Sequence, residues 1–138
     1  MSCLLALLPS IDRTLKTRVI TKVLVIEDDR LIRESILNLL TLRGLVAIGA
    51  EDGRAGLQLA KENVPDLILC DLRMPKLNGY EVLAALRQDS TTAAVPFIFL
   101  TAETTPEVLE QGRSLGADGY LNKPFSTAEL LKAIAPYC

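Results

Sequence analysis

The chain has 138 residues, 49% of them hydrophobic, which fits one domain with its own core and excludes a disordered tail. Fifteen Lys and Arg face 17 Asp and Glu, and this net charge of -2 leaves no electrostatic footprint for nucleic acid or an anionic membrane. The chain has no His, which removes Ser-His-Asp and Cys-His catalysis and any His-ligated metal.

Residues 1–20 read as an N-terminal extension ahead of a domain over 21–138. The apolar run from Cys3 to Leu8 is too short for a signal-peptide core or a membrane span, and no basic residue precedes it. The cysteines Cys3, Cys70 and Cys138 are odd in number, far apart and without a C-x-x-C pair. Neither a disulfide framework nor a structural zinc site is expected, and a reducing compartment is the default. Cys70 lies in an apolar run and reads as a buried small hydrophobe.

From Lys22 the pattern is regular. Val23–Ile26 is an apolar, β-branched run of the kind covered on both faces, and it stops at Glu27-Asp28-Asp29. Leu31, Ile32, Ser35, Ile36, Leu39 and Leu40 carry helical spacing, with Asp29 as N-cap and Gly44 as stop. A second strand over Val46–Ala50 precedes a helix that ends before Pro65. The third strand, Leu67–Cys70, runs to Asp71, and a loop through Asn78-Gly79 leads to a helix over Tyr80 to about Gln88. Phe97–Leu100 is the fourth strand, ending at Thr101, and Thr105-Pro106 opens a helix that Gly116 stops. Tyr120–Asn122 is a short fifth strand before Lys123-Pro124-Phe125, and Ser126 to Glu129 forms a capping box for the last helix. Strands alternating with helices predict an α/β fold, with a parallel sheet and helices on both faces.

The polar residues concentrate at strand ends: Glu27 and Asp28 after the first, Asp71 after the third, Thr101 after the fourth and Lys123 after the fifth. In an open parallel sheet these ends share one edge, where such folds bind ligands. Three carboxylates there repel one another, and a hard divalent cation such as Mg2+ relieves that cost. One carboxylate is then free to attack phosphorus, with Lys123 and the Thr101 hydroxyl facing the phosphoryl oxygens. Taken singly, these residues read as helix caps and ordinary strand ends. Their joint placement favours a site.

Lys22–Asp28 (KVLVIED), Pro65–Pro75 (PDLILCDLRMP), Asn78-Gly79, Phe99–Ala102 (FLTA) and Gly116–Phe125 (GADGYLNKPF) resemble the response-regulator receiver family of two-component signalling. The resemblance covers about residues 22–135. It implies a flavodoxin-like, doubly wound, five-stranded parallel sheet in the order 2-1-3-4-5 with five helices. It also implies Asp71 as phosphoacceptor, assisted by Lys123 and Thr101, with Mg2+ (or Mn2+) held by Asp28, Asp71, the Arg73 backbone carbonyl and Glu27, the last nearby or through water. Thr101 and Tyr120 are implied as the switch pair, and Pro124 as following a cis peptide. Arg73 and Glu103 are expected to pair over the cleft and limit attack by water.

The implied partner is a sensor histidine kinase or phosphotransfer protein offering a phosphohistidine. Phosphorylation would reshape the surface of the fourth helix, fifth strand and fifth helix. That surface would address a protein target or an output domain, and a homodimer is compatible with it. Neither membrane nor direct nucleic-acid binding is expected, the location is expected to be cytoplasmic, and no activity is expected beyond self-phosphorylation and slow self-dephosphorylation. The final helix lacks the Arg-rich pattern of one DNA-binding subclass, and Gly119 replaces the acid usual there. An aspartyl-phosphate phosphatase is disfavoured by Arg73, which stands where a second acid is wanted. A degenerate binding module is disfavoured by the intact Asp28, Asp71, Thr101 and Lys123.

Overall fold

Residues 21–138 are described by the computed structural model. The expected extension over 1–20 lies outside the described residues. Strands β1 (Lys22–Ile26), β2 (Val46–Ala50), β3 (Leu67–Asp71), β4 (Phe97–Thr101) and β5 (Gly119–Asn122) alternate with helices α1 (Arg30–Leu42), α2 (Gly53–Asn63), α3 (Gly79–Gln88), α4 (Pro106–Leu115) and α5 (Thr127–Ile134). The strands form one parallel sheet in the order β2-β1-β3-β4-β5, as the resemblance implies.

The apolar runs become central strands because both faces are covered. Every residue of β3 and β4 is buried, whereas β2 and β5, at the two edges, are only partly so. Leu24, Ile26, Ile68, Phe97 and Phe99 face one core, and Val23, Val25, Leu69, Ile98 and Leu100 face the other. Cys70 is a fully buried free thiol, as expected.

Side-chain caps place the helix starts where the sequence puts them. Asp29, Thr105 and Ser126 accept the orphan amides of Ile32, Val108 and Glu129, and Asn78 forms a reciprocal capping box with Glu81. Gly116 ends α4 at a φ of +104°, a left-handed conformation that favours glycine. Asp71 and Thr101 are the last residues of their strands instead of the first residues beyond them. The ladder runs one residue further, pairing Asp71 with Leu100 and Thr101 with Asn122.

Candidate functional site

Parallel alignment carries the C-terminal ends of β1, β3, β4 and β5 to one edge, and the polar residues meet there. A carboxylate oxygen from each of Glu27, Asp28 and Asp71 lies within 4.8 Å of the others. Lys123 Nζ reaches this cluster from the far side, 2.7 Å from Glu27 Oε1 and 3.3 Å from Asp71 Oδ1. The Lys123–Pro124 peptide is cis, as the resemblance implies. The Lys123 amide donates to the Thr101 carbonyl, which ties the loop after β5 to the end of β4.

Burial sets the electrostatics. Asp71 is pushed up to about 7, first by desolvation and then by the Glu27 charge, with Lys123 opposing. Burial alone lowers Lys123, but the Glu27 and Asp71 carboxylates override it and hold the ammonium above its ordinary value. Glu27 is fully buried. Its Oε2 accepts from the Asp29 amide, while Oε1 faces the Lys123 ammonium at 2.7 Å. Three carboxylates gathered this closely, in a set of oxygen donors only, fit a hard cation such as Mg2+.

Thr101 is buried, and its hydroxyl accepts from the Glu103 amide at 2.9 Å. Arg73, two residues beyond Asp71, turns its side chain to Glu103. Nη2 donates to Oε1 at 2.9 Å, and Nε pairs with Oε2, so the expected pair is present and its geometry is bidentate. Tyr120 stacks on Phe99 and donates to the carbonyls of Val108 and Leu109 in α4. Phe97 and Phe99 are core, and Phe125 packs against the other core face.

Three participants escaped the sequence reading. Tyr80 also donates to the Val108 carbonyl, so two tyrosine hydroxyls converge on one α4 peptide. At Gly112 an added Cβ would lie 1.9 Å from Tyr120 Oη, and at Gly79 it would lie 2.6 Å from the Asp71 carbonyl. The signal for Gly112 was a glycine inside a helical pattern, which lowers helix propensity and so asks for a packing reason.

The statistical model of the response regulator receiver domain family matches residues 23–135. The response regulator MprA of Mycolicibacterium vanbaalenii is 41% identical over 110 residues, covering 80% of this chain and 47% of that protein. The chain therefore spans about half the length of the curated relatives it matches. The structure resembles the Vibrio cholerae chemotaxis protein CheY4, with a TM-score of 0.84 and 35% identity over 87% of this chain and 100% of that one. It also resembles the receiver domain of the Pseudomonas aeruginosa sensor histidine kinase PA1611, solved with a magnesium ion coordinated in its active-site cleft. That match has a TM-score of 0.79 and 29% identity over 86% of this chain and 98% of that one. The fold, its acidic edge and these matches agree: the chain belongs to the response regulator receiver domain family, the signalling switches of two-component systems.

Proposed function

We propose that Asp71 accepts a phosphoryl group from the phosphohistidine of a sensor histidine kinase or phosphotransfer protein, and that the modified domain reshapes its α4-β5-α5 surface. The observation that carries this reading is the cluster itself: three carboxylates within 4.8 Å, faced by the Lys123 ammonium at 2.7 and 3.3 Å. Residues 21–138 constitute the switch domain, and 1–20 an extension.

Asp28, Asp71 and the Arg73 carbonyl would hold Mg2+, with Glu27 adjacent or bridged through water. When bound, the cation neutralises carboxylate and phosphoryl charge. An Asp71 oxygen attacks phosphorus in line. The new O–P bond forms as the N–P bond breaks, and the histidine nitrogen recovers a proton. Lys123 leaves its contact with Asp71 Oδ1 for a phosphoryl oxygen, and the Thr101 hydroxyl turns the proton it directs at the Glu103 carbonyl to another. Movement of Thr101 pulls on the loop that carries Glu103 and leads into α4, where Tyr80 and Tyr120 grip Val108. A local charge thus biases a two-state packing. An apolar groove of about 440 Å³, lined by Leu31, Ile32, Ser35 and Phe125, opens beside Lys123 and supports a partner approaching from that side.

Incubating the chain with a small phosphodonor and Mg2+ tests the reading by intact mass. Wild type is expected to gain one phosphoryl group, and Asp71→Asn none. Equal gain by both proteins would place the chemistry elsewhere. Size-exclusion chromatography on the same samples reports any dimer.

A further inference from the structure

We propose that Arg33 is a positioning residue for the divalent cation, acting through the peptide that joins Glu27 to Asp28. The inference rests on reading the acidic cluster as a metal site. Arg33 lies in the first turns of α1, and its Nη1 donates to the Glu27 carbonyl at 2.7 Å from a part-buried position. That carbonyl belongs to the same planar unit as the Asp28 amide, so fixing its direction sets the orientation at which the chain delivers Asp28.

The rest of Glu27 is pinned as well. Its amide donates to Ala50 on β2 at 3.0 Å, and its Oε2 accepts from the Asp29 amide at 3.1 Å. Among the described residues, Arg33 supplies the one hydrogen bond to this turn that a side chain of α1 donates. Without it the carbonyl loses a charge-assisted hydrogen bond, and the turn bearing both acids gains freedom.

The neighbouring strand is shaped for this side chain. At Gly49 an added Cβ would lie 3.3 Å from Arg33 Cδ, 3.5 Å from Arg33 Cγ and 2.8 Å from Leu37 Cδ1. Gly49 therefore leaves the space along which the aliphatic stem of Arg33 runs to the turn. Both the guanidinium and its track are provided, by α1 and β2 respectively.

Electrostatics gives the idea a sharp sign. A guanidinium hydrogen-bonded to a residue of the cluster repels an incoming dication, so charge alone predicts tighter metal binding once Arg33 is removed. Positioning predicts the opposite. Contacts that orient metal ligands typically contribute about 10- to 100-fold in affinity.

Isothermal titration of the full chain with MgCl2 decides between the two. Arg33→Ala is expected to weaken Mg2+ binding about tenfold or more. Arg33→Lys keeps the stem and the charge but loses the fork, and is expected to weaken it by a smaller factor. Gly49→Ala, which keeps Arg33 and crowds its path, is expected to weaken it too. Melting in chelator, where no metal is bound, reports any general loss of stability. Should Arg33→Ala fail to fold, Arg33→Lys carries the test alone. Affinity that is unchanged or tighter in Arg33→Lys and in any folded Arg33→Ala overturns the proposal while leaving the metal site standing, provided Asp28→Asn abolishes binding. A wild type that takes up no Mg2+ overturns the metal reading, and this inference with it.

Discussion

Asp71 combines two demands that oppose each other: it must be buried enough to be shielded from bulk water and ionised enough to be a nucleophile. Without a cation, desolvation and Glu27 move its carboxyl from the ordinary 3.8 up to about 7. The consequence for stability follows from linkage. Below pH 4 the group is protonated in both folded and unfolded chains. Between about 4 and 7 the unfolded chain ionises freely while the folded one resists, so this residue's stabilising contribution, present at low pH, is lost as pH rises through that window. In metal-free buffer, Asp71→Asn is therefore expected to melt progressively higher than wild type as pH goes from 4 to 8. A difference in melting temperature that stays constant over this range would show that Asp71 is not held in its protonated form. The Arg73–Glu103 pair makes the opposite kind of prediction. Its side chains are 58% and 41% exposed, so its share of stability is small. If instead it shields the phosphorylated cleft, Arg73→Ala will barely change the melting temperature yet shorten the lifetime of the Asp71 phosphate severalfold. An unchanged lifetime would remove the shielding role.

Among the elements, α4 receives side chains from both α3 and β5. Tyr80 from α3 and Tyr120 from β5 flank Phe99 of β4, at 5.5 and 5.4 Å between ring centroids, and both hydroxyls end on the Val108 carbonyl. Gly112 allows Tyr120 to lie there. Gly→Ala inside a helix ordinarily stabilises by about 1 kcal/mol. Here the new methyl meets Tyr120 Oη and Phe99 Cε2, so Gly112→Ala is expected to destabilise by about 1–3 kcal/mol in chemical denaturation. Adding Tyr120→Phe, which removes the nearest atom, should recover part of that loss. A single variant as stable as wild type would mean that Tyr120 leaves its place without cost. The same element shows where sequence reading stops. Thr105, Pro106 and Gly116 mark the ends of α4 because caps and breakers act locally. The Tyr80 contact spans 28 residues and depends on how α3 and α4 lie against β4, which no local signal encodes. Tyr120 was legible only through the family motif. Its stacking on Phe99 and its bonds into α4 are properties of packing.

For the molecule as a whole, alternation of apolar runs and helical spacing was enough to define the sheet, because strands buried on both faces leave an unmistakable continuous pattern. It was also enough to collect Glu27, Asp28, Asp71, Thr101 and Lys123 at one edge, since a parallel sheet brings all its strand ends together. What it left open was the energetic state of that edge: Glu27 wholly buried, Asp28 exposed, and Lys123 spanning two acids. Lys123 reaches both acids from the loop after β5, far from them in sequence. A folded domain that keeps three carboxylates together should be stabilised by any dication that binds only this state. At about a hundred times its dissociation constant such an ion adds roughly 2.7 kcal/mol, which for a domain of this size raises the melting temperature by on the order of 10 °C. The effect should grow between pH 5 and 8, because the ion must displace the proton that Asp71 retains without metal. Melting curves at several Mg2+ concentrations and two pH values measure this directly, with Asp28→Asn expected to abolish the shift. A shift that survives in that variant, or that shrinks as pH rises, would mean that the ion binds elsewhere on the surface and that Lys123 alone neutralises the acidic edge.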